Sequence, residues 1–209
     1  MAALIYLMGA SGVGKDALLR ALREAAPGRL VAHRYITRAS NENEDSIRLS
    51  EAEFIRRQQA GLFCLAWQAH GLHYALGIEI EQWLSHGHCV IVNGSRAHLD
   101  AARARFGHRL APLLITAEES VVRERLIRRG RDSDVEIEAR LERHRETEAA
   151  LSSGLEAGKI AQLDNSGTLS RGVAALCCWL ATLDEVDNLA PADTATVSAA
   201  PRYHSETCS

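Results

Sequence analysis

The sequence predicts an α/β domain in which a parallel sheet is flanked by helices. Two observations predict this class. Short apolar runs, typical of strands that are buried on both faces, alternate along the chain with helical patterns. The first of these runs leads directly into a glycine-rich loop and then into a helix. At 209 residues, one compact domain with a small insert is expected.

The predicted elements follow in a regular order from the N-terminus. Met1–Leu7 is predicted as a central strand, and Lys15–Ala26 as a helix that Pro27-Gly28 ends. Further strands are predicted over Leu30–Ile36, Cys89–Val92, Leu110–Ile115 and Ile160–Leu163. Further helices are predicted over Ser50–Ala60, Ile78–Ser85, Leu99–Phe106, Thr116–Arg129, Val135–Leu151 and Thr168–Leu183.

Two of the helices begin with the pattern of a capping box. The pairs are Ser50 with Glu53 and Thr116 with Glu119. In this motif the hydroxyl accepts a hydrogen bond from the backbone N–H three residues later. Both hydroxyls are therefore expected to cap their helices.

The alternation of strands and helices breaks over residues 39–76, which we predict to be an insert. Ala39–Arg48 is polar and is predicted as a loop, whereas Leu62–Gln68 and Leu72–Leu76 are predicted as a hairpin. From Glu185 onward Ala, Thr, Ser, Pro and Asp dominate and no periodicity remains. The sequence thus predicts a folded domain over residues 1–184 and a disordered tail over Glu185–Ser209.

The composition excludes several classes of function. Charged residues make up 24% and the net charge is -3, which gives no general case for binding nucleic acid or a membrane surface. No apolar run is long enough to span a bilayer, and no signal peptide is expected. The five cysteines show no C-x-x-C spacing, which fits a reducing cytoplasm. The sequence leaves both a monomer and a homodimer open.

The segment Gly9–Lys15, called the glycine loop below, carries the clearest chemical pattern. Its spacing, Gly9-x-x-x-x-Gly14-Lys15, is that of a phosphate-binding loop. Lys15 would place a positive charge at the β- and γ-phosphates of ATP. The backbone N–H groups expected to cradle phosphate oxygens, with the helix N-terminus behind them, are those of Gly9, Ala10, Ser11, Gly12, Val13 and Gly14. An ordinary turn is the alternative, but it does not account for a lysine where the helix dipole opposes a cation.

Asp16 departs from the usual pattern of such a loop. The motif places Ser or Thr after the lysine because the hydroxyl ligates Mg²⁺. Asp16 stands there instead, and we predict that its carboxylate binds Mg²⁺ directly or through water. The alternative is an acidic residue that the helix N-terminus favours.

Further candidates follow the predicted strands, because ligands of parallel sheets bind at the carboxyl ends of the strands. Arg38 lies just past a strand end and is expected to hold the acceptor of the phosphoryl group, whereas Arg34 could equally be structural. Ser95 and Arg96 follow the predicted strand Cys89–Val92 and are further candidates for binding the acceptor.

A cluster of arginines lies between two predicted helices. Arg123–Arg131 holds five arginines in nine residues. We predict that Arg125, Arg129 and Arg140 form a lid, over about residues 125–140, that closes on the transferring phosphates. The alternative is a solvated face with many ion pairs. No general base is evident, which favours a phosphate acceptor, since its oxygen is already anionic near neutral pH.

The order of these parts resembles the guanylate kinase group of P-loop kinases. The phosphate loop, Thr-Thr-Arg turn, acceptor-binding insert and arginine lid of that group match Gly9–Lys15, Ile36–Arg38, Phe54–Tyr74 and Arg125–Gly130. The resemblance spans about Leu4 to Leu180 and implies a P-loop NTPase fold with ATP and Mg²⁺ as cofactors.

The chain also departs from that group. Leu65 lies at or near the position of the glutamate that reads guanine, and a leucine cannot hydrogen-bond a base. Asn93 stands where the group carries an acidic residue. A kinase of GMP or another nucleoside monophosphate is therefore disfavoured. A non-catalytic binding module of the same fold is also disfavoured, because such modules usually lose the lysine that this chain retains as Lys15.

These departures resemble a narrower family, the ribose 1,5-bisphosphate phosphokinases of bacterial phosphonate breakdown. That family's loop Gly-x-Ser-Gly-x-Gly-Lys-Asp, turn Arg-Tyr-x-Thr-Arg, insert Trp-x-Ala-His-Gly-Leu-x-Tyr and strand end Asn-x-Ser-Arg match Gly9–Asp16, Arg34–Arg38, Trp67–Tyr74 and Asn93–Arg96. Ala75 departs from it, since a glycine usually follows the tyrosine there.

The resemblance implies transfer of the ATP γ-phosphoryl group to the carbon-1 phosphate of ribose 1,5-bisphosphate. The products would be 5-phosphoribosyl 1-diphosphate and ADP. Tyr74 would join Arg38, Ser95 and Arg96 at the acceptor, and Asn165 would help to hold adenine. The partners are then small molecules, ATP and a sugar bisphosphate.

Overall fold

The computed structural model of the chain describes residues 2–37, 46–69, 71–130, 133–152 and 160–189. Of residues 148–152 and 184–189 it describes the backbone alone. Arg38, most of the predicted loop Ala39–Arg48 and the chain after Leu189 therefore lie outside the described residues.

Strands and helices alternate through most of the described chain. The strands are β1 (Leu4–Met8), β2 (Leu30–Val31), β3 (Arg34–Ile36), β4 (Ser46–Arg48), β5 (Phe63–Ala69), β6 (Leu72–Gly77), β7 (Val90–Asn93), β8 (Leu110–Thr116) and β9 (Ala161–Asp164). The helices are α1 (Lys15–Ala25), α2 (Glu51–Gln59), α3 (Glu79–Ser85), α4 (Leu99–Phe106), α5 (Glu119–Arg129), α6 (Asp134–Ser152) and α7 (Leu169–Leu189).

The main sheet has five parallel strands in the order β2-β7-β1-β8-β9. The central strand β1 is fully buried, as its continuous apolar run predicts. Because side chains alternate along a strand, Ile5 and Leu7 pack with α1, α5, α6 and α7, whereas Leu4, Tyr6 and Met8 pack with α3 and α4. The predicted parallel sheet with helices on both faces is confirmed.

The insert forms a second sheet of four strands, in the order β4-β3-β6-β5. Its hairpin β5–β6 agrees with the prediction and pairs Trp67 with Tyr74. The prediction of one strand over Leu30–Ile36 is wrong, because β2 pairs with β7 in the main sheet and β3 pairs with β6 in the second. Apolar residues run through both pieces, so composition alone does not reveal that the chain changes sheets. The predicted loop also contains β4, which exists by pairing in parallel with β3.

Two predictions about helix ends need correction. Ser50 caps α2, where its Oγ accepts from the Glu53 N–H at 3.2 Å, but Thr116 does not cap α5. Thr116 ends β8, and Ser166 Oγ accepts from the Glu118 N–H at 2.9 Å instead. The last helix runs to Leu189, past the predicted start of the tail at Glu185, because no helix-breaking residue intervenes before Pro191.

No helix in the described ranges combines the length and the apolar character that crossing a membrane requires.

Candidate active site

The glycine loop joins the buried end of β1 to the N-terminus of α1, and its glycines are required by geometry. Gly9, Gly12 and Gly14 have φ of 150°, 97° and 97°, a region that side chains rarely adopt. A Cβ at Gly9 would lie 2.4 Å from the Ile115 carbonyl oxygen, and one at Gly14 would lie 2.6 Å from Asn165 Nδ2. The loop is therefore wedged between the ends of β8 and β9 and cannot relax outward.

Lys15 folds back over this loop. Its Nζ donates to the Gly9 carbonyl at 2.7 Å and to the Ala10 carbonyl at 3.0 Å. Burial lowers the pKa of Lys15 to about 8; the neighbouring Asp16 carboxylate opposes this change, whereas the charges of Arg34 and Arg129 add to it. A partly desolvated ammonium held at a helix N-terminus is a site that an anion would stabilise.

Asp16 lies opposite the end of β7. Asn93 Nδ2 donates to Asp16 Oδ1 at 2.7 Å, and Arg34 Nη2 lies 3.8 Å from the same oxygen. Asn93 is only 5% exposed, and its Oδ1 is buried with no hydrogen-bond partner among the described residues. The structure thus brings the loop carboxylate and the strand-end amide into direct contact, although 77 residues separate them.

The loop after β7 is held by hydrogen bonds to Tyr6 of β1. Its hydroxyl donates to the Ser95 carbonyl at 3.0 Å and accepts from the Ser95 N–H at 2.9 Å. A Cβ at Gly94 would lie 2.2 Å from the Tyr6 ring, so only glycine fits there. His98 Nδ1 lies 3.4 Å from Ser95 Oγ. Ser95 is therefore held at the strand end beside Asn93.

The insert contributes an aromatic wall. Trp67 and Tyr74 are stacked, with centroids 5.7 Å apart and planes 8° from parallel, and Trp67 also contacts His98. Arg34 lies over the Tyr74 ring, with its Cζ 5.7 Å from the centroid. The predicted acceptor residues Tyr74 and Ser95 consequently lie in one network of contacts.

The side chain of Arg96 lies outside this network and contacts α6. Its Nη1 donates to the Thr147 carbonyl of α6 at 3.4 Å, which links the loop after β7 to the second helix of the arginine cluster. Thr37, which adjoins the undescribed Arg38, bonds to His73 of β6 through its N–H and through its Oγ1, which accepts at 3.0 Å. The chain that leads to Arg38 is thereby anchored to the insert.

Two of the three predicted lid arginines, Arg125 and Arg140, contact the glycine loop. Arg125 donates to the carbonyls of Val13, Asn165 and Gly167, at 3.2, 2.7 and 3.2 Å, so it braces the glycine loop against the loop after β9. Arg140 donates to Ser11 Oγ at 2.6 Å from α6. Burial, together with the nearby charges of Arg128 and Arg129, lowers the pKa of Arg125.

Other arginines of the cluster form the ion-paired face that was the alternative prediction. Arg145 binds the Glu119 carboxylate with two hydrogen bonds of 2.7 and 2.8 Å, and Arg123 binds Glu138. The cluster therefore divides into cations that neutralise acids on the outer face and cations that reach the glycine loop.

A cavity of about 850 Å³ opens between α1, α5 and the loop after β9. Asn165, 3% exposed, lies at its wall and donates from Nδ2 to the Val13 carbonyl at 2.7 Å. The residues lining the cavity are Gly14, Asp16, Ala17, Arg20, Val121, Glu124, Arg125, Arg128, Arg129, Asn165, Ser166, Gly167, Thr168 and Leu169. It is continuous with the glycine loop and has room for a nucleoside.

No cluster of three or more His, Cys, Asp or Glu side chains with metal-binding geometry occurs in the described parts of the chain. A lone carboxylate at a phosphate loop nevertheless fits Mg²⁺, which is usually held by one or two carboxylates together with substrate phosphates and water. Asp16 places a carboxylate there, and the amide of Asn93 lies at hydrogen-bond distance from it.

Sequence reasoning did not anticipate several contacts at this site. It treated Arg34 as equally well structural, and it assigned no contact to Tyr6 or Asn93, although all three meet at the glycine loop or the loop after β7. A tyrosine inside an otherwise aliphatic central strand is the signal that could have identified Tyr6, because a buried hydroxyl requires a polar partner.

Comparison with known proteins adds independent evidence on the family. A family model described as an AAA domain matches residues 5–149. The chain is 47% identical over 197 residues to the ribose 1,5-bisphosphate phosphokinase PhnN of Pectobacterium atrosepticum, covering 93% of this chain and 97% of that protein. It is 46% identical over 180 residues to the PhnN of Pseudomonas paraeruginosa, covering 85% and 94% of the two chains.

The structure also resembles solved structures. A guanylate kinase from Anaplasma phagocytophilum superimposes with a TM-score of 0.62 over 90% of this chain and 87% of that one, at 14% identity. This likeness establishes the fold, an α/β P-loop NTPase fold with a parallel sheet flanked by helices. The identity of nearly half over almost the full length of its relatives shows that the chain belongs to the ribose 1,5-bisphosphate phosphokinase PhnN family.

Proposed function

We propose that this protein transfers the γ-phosphoryl group of ATP to the carbon-1 phosphate of ribose 1,5-bisphosphate. The products are 5-phospho-α-D-ribosyl 1-diphosphate and ADP, and the reaction serves phosphonate catabolism in the cytoplasm. The observation that carries the proposal is the 47% identity to a ribose 1,5-bisphosphate phosphokinase over 97% of its length.

The reaction needs positioning and charge more than it needs a base. An oxygen of the carbon-1 phosphate forms a bond to the γ-phosphorus, the bond from that phosphorus to the β–γ bridging oxygen breaks, and ADP leaves with that oxygen. Because the second pKa of a phosphate monoester is about 6, the attacking oxygen carries no proton to remove near neutral pH. The task of the site is to align two anions in line and to neutralise them.

The donor end of the site is the glycine loop with its adjoining cavity. The backbone N–H groups from Gly9 to Gly14 bind the β- and γ-phosphates, and Lys15 exchanges its bonds to the loop carbonyls for bonds to phosphate oxygens. The nucleoside occupies the cavity of about 850 Å³, with Asn165 at its wall. The desolvation that lowers the pKa of Lys15 supports this role, since an anion offsets it.

Asp16 provides the protein ligand for Mg²⁺. When bound, the ion neutralises charge on the phosphate oxygens during transfer. The hydrogen bond from Asn93 directs the Asp16 carboxylate toward the end of β7, where donor and acceptor meet.

The acceptor end lies between the loop after β7 and the insert. Ser95 and Tyr74 line it, and Arg38 and Arg96 are proposed from sequence to bind the sugar bisphosphate as well. Arg96 would have to exchange its bond to the Thr147 carbonyl for one to a phosphate oxygen. Tyr74 is only partly buried, and the buried Trp67 stacked against it holds its ring in place at this end of the site. Leu65 replaces the hydrogen-bonding residue that a guanine reader would need, which supports a sugar phosphate rather than a nucleotide.

The arginine lid closes the site. Arg140 already reaches Ser11 of the glycine loop, so its guanidinium can transfer from that hydroxyl to a γ-phosphate oxygen over a short distance. Arg129 adds a positive charge that helps to lower the pKa of Lys15. Arg125 braces the loop and stabilises it for phosphate binding.

The proposal is tested with the purified full-length chain, ATP and Mg²⁺. Ribose 1,5-bisphosphate is offered as acceptor, ADP is followed by a coupled assay, and the product is identified by the ³¹P resonances of its diphosphate. Formation of one diphosphate for each ADP is expected, and Lys15→Met should abolish it. Turnover with GMP but not with the sugar bisphosphate would assign a nucleotide kinase, and turnover with neither would favour a binding module.

A further inference from the structure

Arg34 occupies a position between the donor and acceptor ends of the site. It is the first residue of β3, and its side chain is only 17% exposed. One end of its guanidinium lies 3.8 Å from the carboxylate of Asp16, and the group lies over the ring of Tyr74 at 5.7 Å. The same cation therefore lies between Asp16, the residue that follows the glycine loop, and the aromatic wall of the insert.

The contacts of Arg34 leave its donors available to an anion. A separation of 3.8 Å is an ion pair but exceeds the range of a hydrogen bond. Contact with a tyrosine face orients the guanidinium plane without using its N–H groups. Among the described residues, no hydrogen bond donated by Arg34 is present. A planar fork held in this way matches the oxygen pair of a phosphate.

The local charges favour an anion at this point. The charge of Arg34 helps to lower the pKa of Lys15 and also acts on the buried Tyr6 hydroxyl. Arg34 pairs with Asp16, and Lys15 lies close enough to be influenced by both charges. A phosphate dianion between Arg34 and Lys15 would relieve their mutual repulsion.

We propose that Arg34 binds the carbon-1 phosphate of the acceptor, the phosphate that receives the transferred group. The inference rests on the proposed function and specifies which end of the substrate the residue holds. Because Arg34 adjoins Asp16 and Lys15, it faces the reacting phosphate rather than the distal 5-phosphate. It thereby makes the site selective for an acceptor that presents a phosphate at the point of transfer.

The test compares Arg34→Gln with a matched control in the same insert. Arg57 also lies over a tyrosine, with its Cζ 5.6 Å from the Tyr35 centroid, but it bonds to Glu53 at 2.8 Å instead of approaching the glycine loop. Arg34→Gln should raise the KM for ribose 1,5-bisphosphate about 10- to 100-fold, the effect of losing a charge-assisted hydrogen bond. Its Kd for ATP in the absence of acceptor should change less than about twofold, and Arg57→Gln should leave both constants unchanged.

A conservative variant separates charge from geometry. Arg34→Lys keeps the charge but loses the planar fork, so its KM should lie between those of the wild type and Arg34→Gln. Thermal unfolding checks that each variant is folded. If Arg34→Gln does not fold, the KM of Arg34→Lys decides, and a rise of about tenfold is expected.

Three results would count against the inference. An unchanged acceptor KM in a folded Arg34 variant shows that Arg34 is structural. An equal loss of ATP affinity assigns Arg34 to the donor. A wild-type chain that turns over no ribose 1,5-bisphosphate contradicts the proposed function itself, and the role of Arg34 is rejected together with it before any variant is compared.

Discussion

Replacing Lys15 by methionine should stabilise the ligand-free protein near neutral pH while it removes activity. Burial lowers the pKa of this amine from 10.5 to about 8. At pH 7 the folded protein therefore carries an ammonium that the unfolded chain solvates better. Each tenfold change in proton affinity corresponds to about 1.4 kcal/mol, so the free energy of unfolding is reduced by about 3 kcal/mol.

The hydrogen bonds of Lys15 offset part of this cost. Its Nζ donates to the carbonyls of Gly9 and Ala10. Such bonds contribute about 1 kcal/mol each. The net gain in the free energy of unfolding of Lys15→Met at pH 7 is then about 1 to 2 kcal/mol.

The pH dependence identifies the cause. Between pH about 8 and 10.5 the unfolded wild type binds more protons at Lys15 than the folded wild type does, so its stability rises with pH in that window. Above pH 10.5 Lys15 is neutral in both states, and the destabilisation by its buried charge is absent. As the pH falls through about 8, this destabilisation becomes complete. Between pH 7 and 10.5 the free energy of unfolding of the wild type should therefore rise by about 3 kcal/mol relative to that of Lys15→Met. The effects of other titrating groups cancel in this comparison.

The assay is urea unfolding followed by tryptophan fluorescence at pH 7, 8, 9 and 10. Lys159→Met serves as the control, because Lys159 is the other lysine of the chain. ATP should raise the midpoint of the wild type but not that of Lys15→Met. A difference between the two proteins that does not change with pH, or a variant less stable than the wild type at pH 7, would refute the reasoning.

Three further predictions concern the metal, the loop after β7 and the C-terminus. Asp16→Asn should raise the Mg²⁺ concentration for half-maximal velocity at least about tenfold, and adding Asn93→Asp should restore most of the wild-type Mg²⁺ affinity because the two side chains are 2.7 Å apart. An unchanged Mg²⁺ requirement would show that Asp16 is only a helix N-terminal residue. Tyr6→Phe removes the hydroxyl that bonds to the Ser95 N–H and carbonyl, so it should lower the free energy of unfolding by about 1 to 3 kcal/mol. It should also raise the acceptor KM more than the ATP KM, and equal changes in the two KM values would contradict a role at the acceptor end. Removal of residues 190–209 should leave kcat and thermal stability unchanged, and a large loss of either would show that the tail contributes to the fold.

Periodicity and local motifs predicted the main sheet well, because strands buried on both faces must be continuously apolar. The same reasoning misjudged Leu30–Ile36, which is apolar enough for one strand but divides between two sheets. Local composition reports that a residue is buried but does not report which partner buries it. The predicted cap of α5 failed for a similar reason: Thr116 belongs to β8, and the Glu118 N–H that precedes the helix bonds to Ser166, 48 residues away.

The candidate site divides along the same line. The glycine loop was predictable because its function is local: the spacing of Gly9, Gly14 and Lys15 sets the turn, the helix N-terminus and the charge within seven consecutive residues. The arginine cluster was predictable as a cluster, and Arg140 was predicted as a lid residue. The partners were not predictable: only the structure shows that Arg140 reaches Ser11 and that Arg145 pairs with Glu119.

By itself the sequence determined the fold class, the phosphate loop and the family resemblance, all of which depend on neighbouring residues or on their order. Only the tertiary structure decided that Asp16 meets Asn93 and that Arg34 lies between the glycine loop and the ring of Tyr74. These contacts join separate strand ends, and parallel connections bring such ends together across tens of residues of intervening chain. Hydrogen bonds and ion pairs act over a few ångströms, so the packing of the two sheets determines which charges can cooperate.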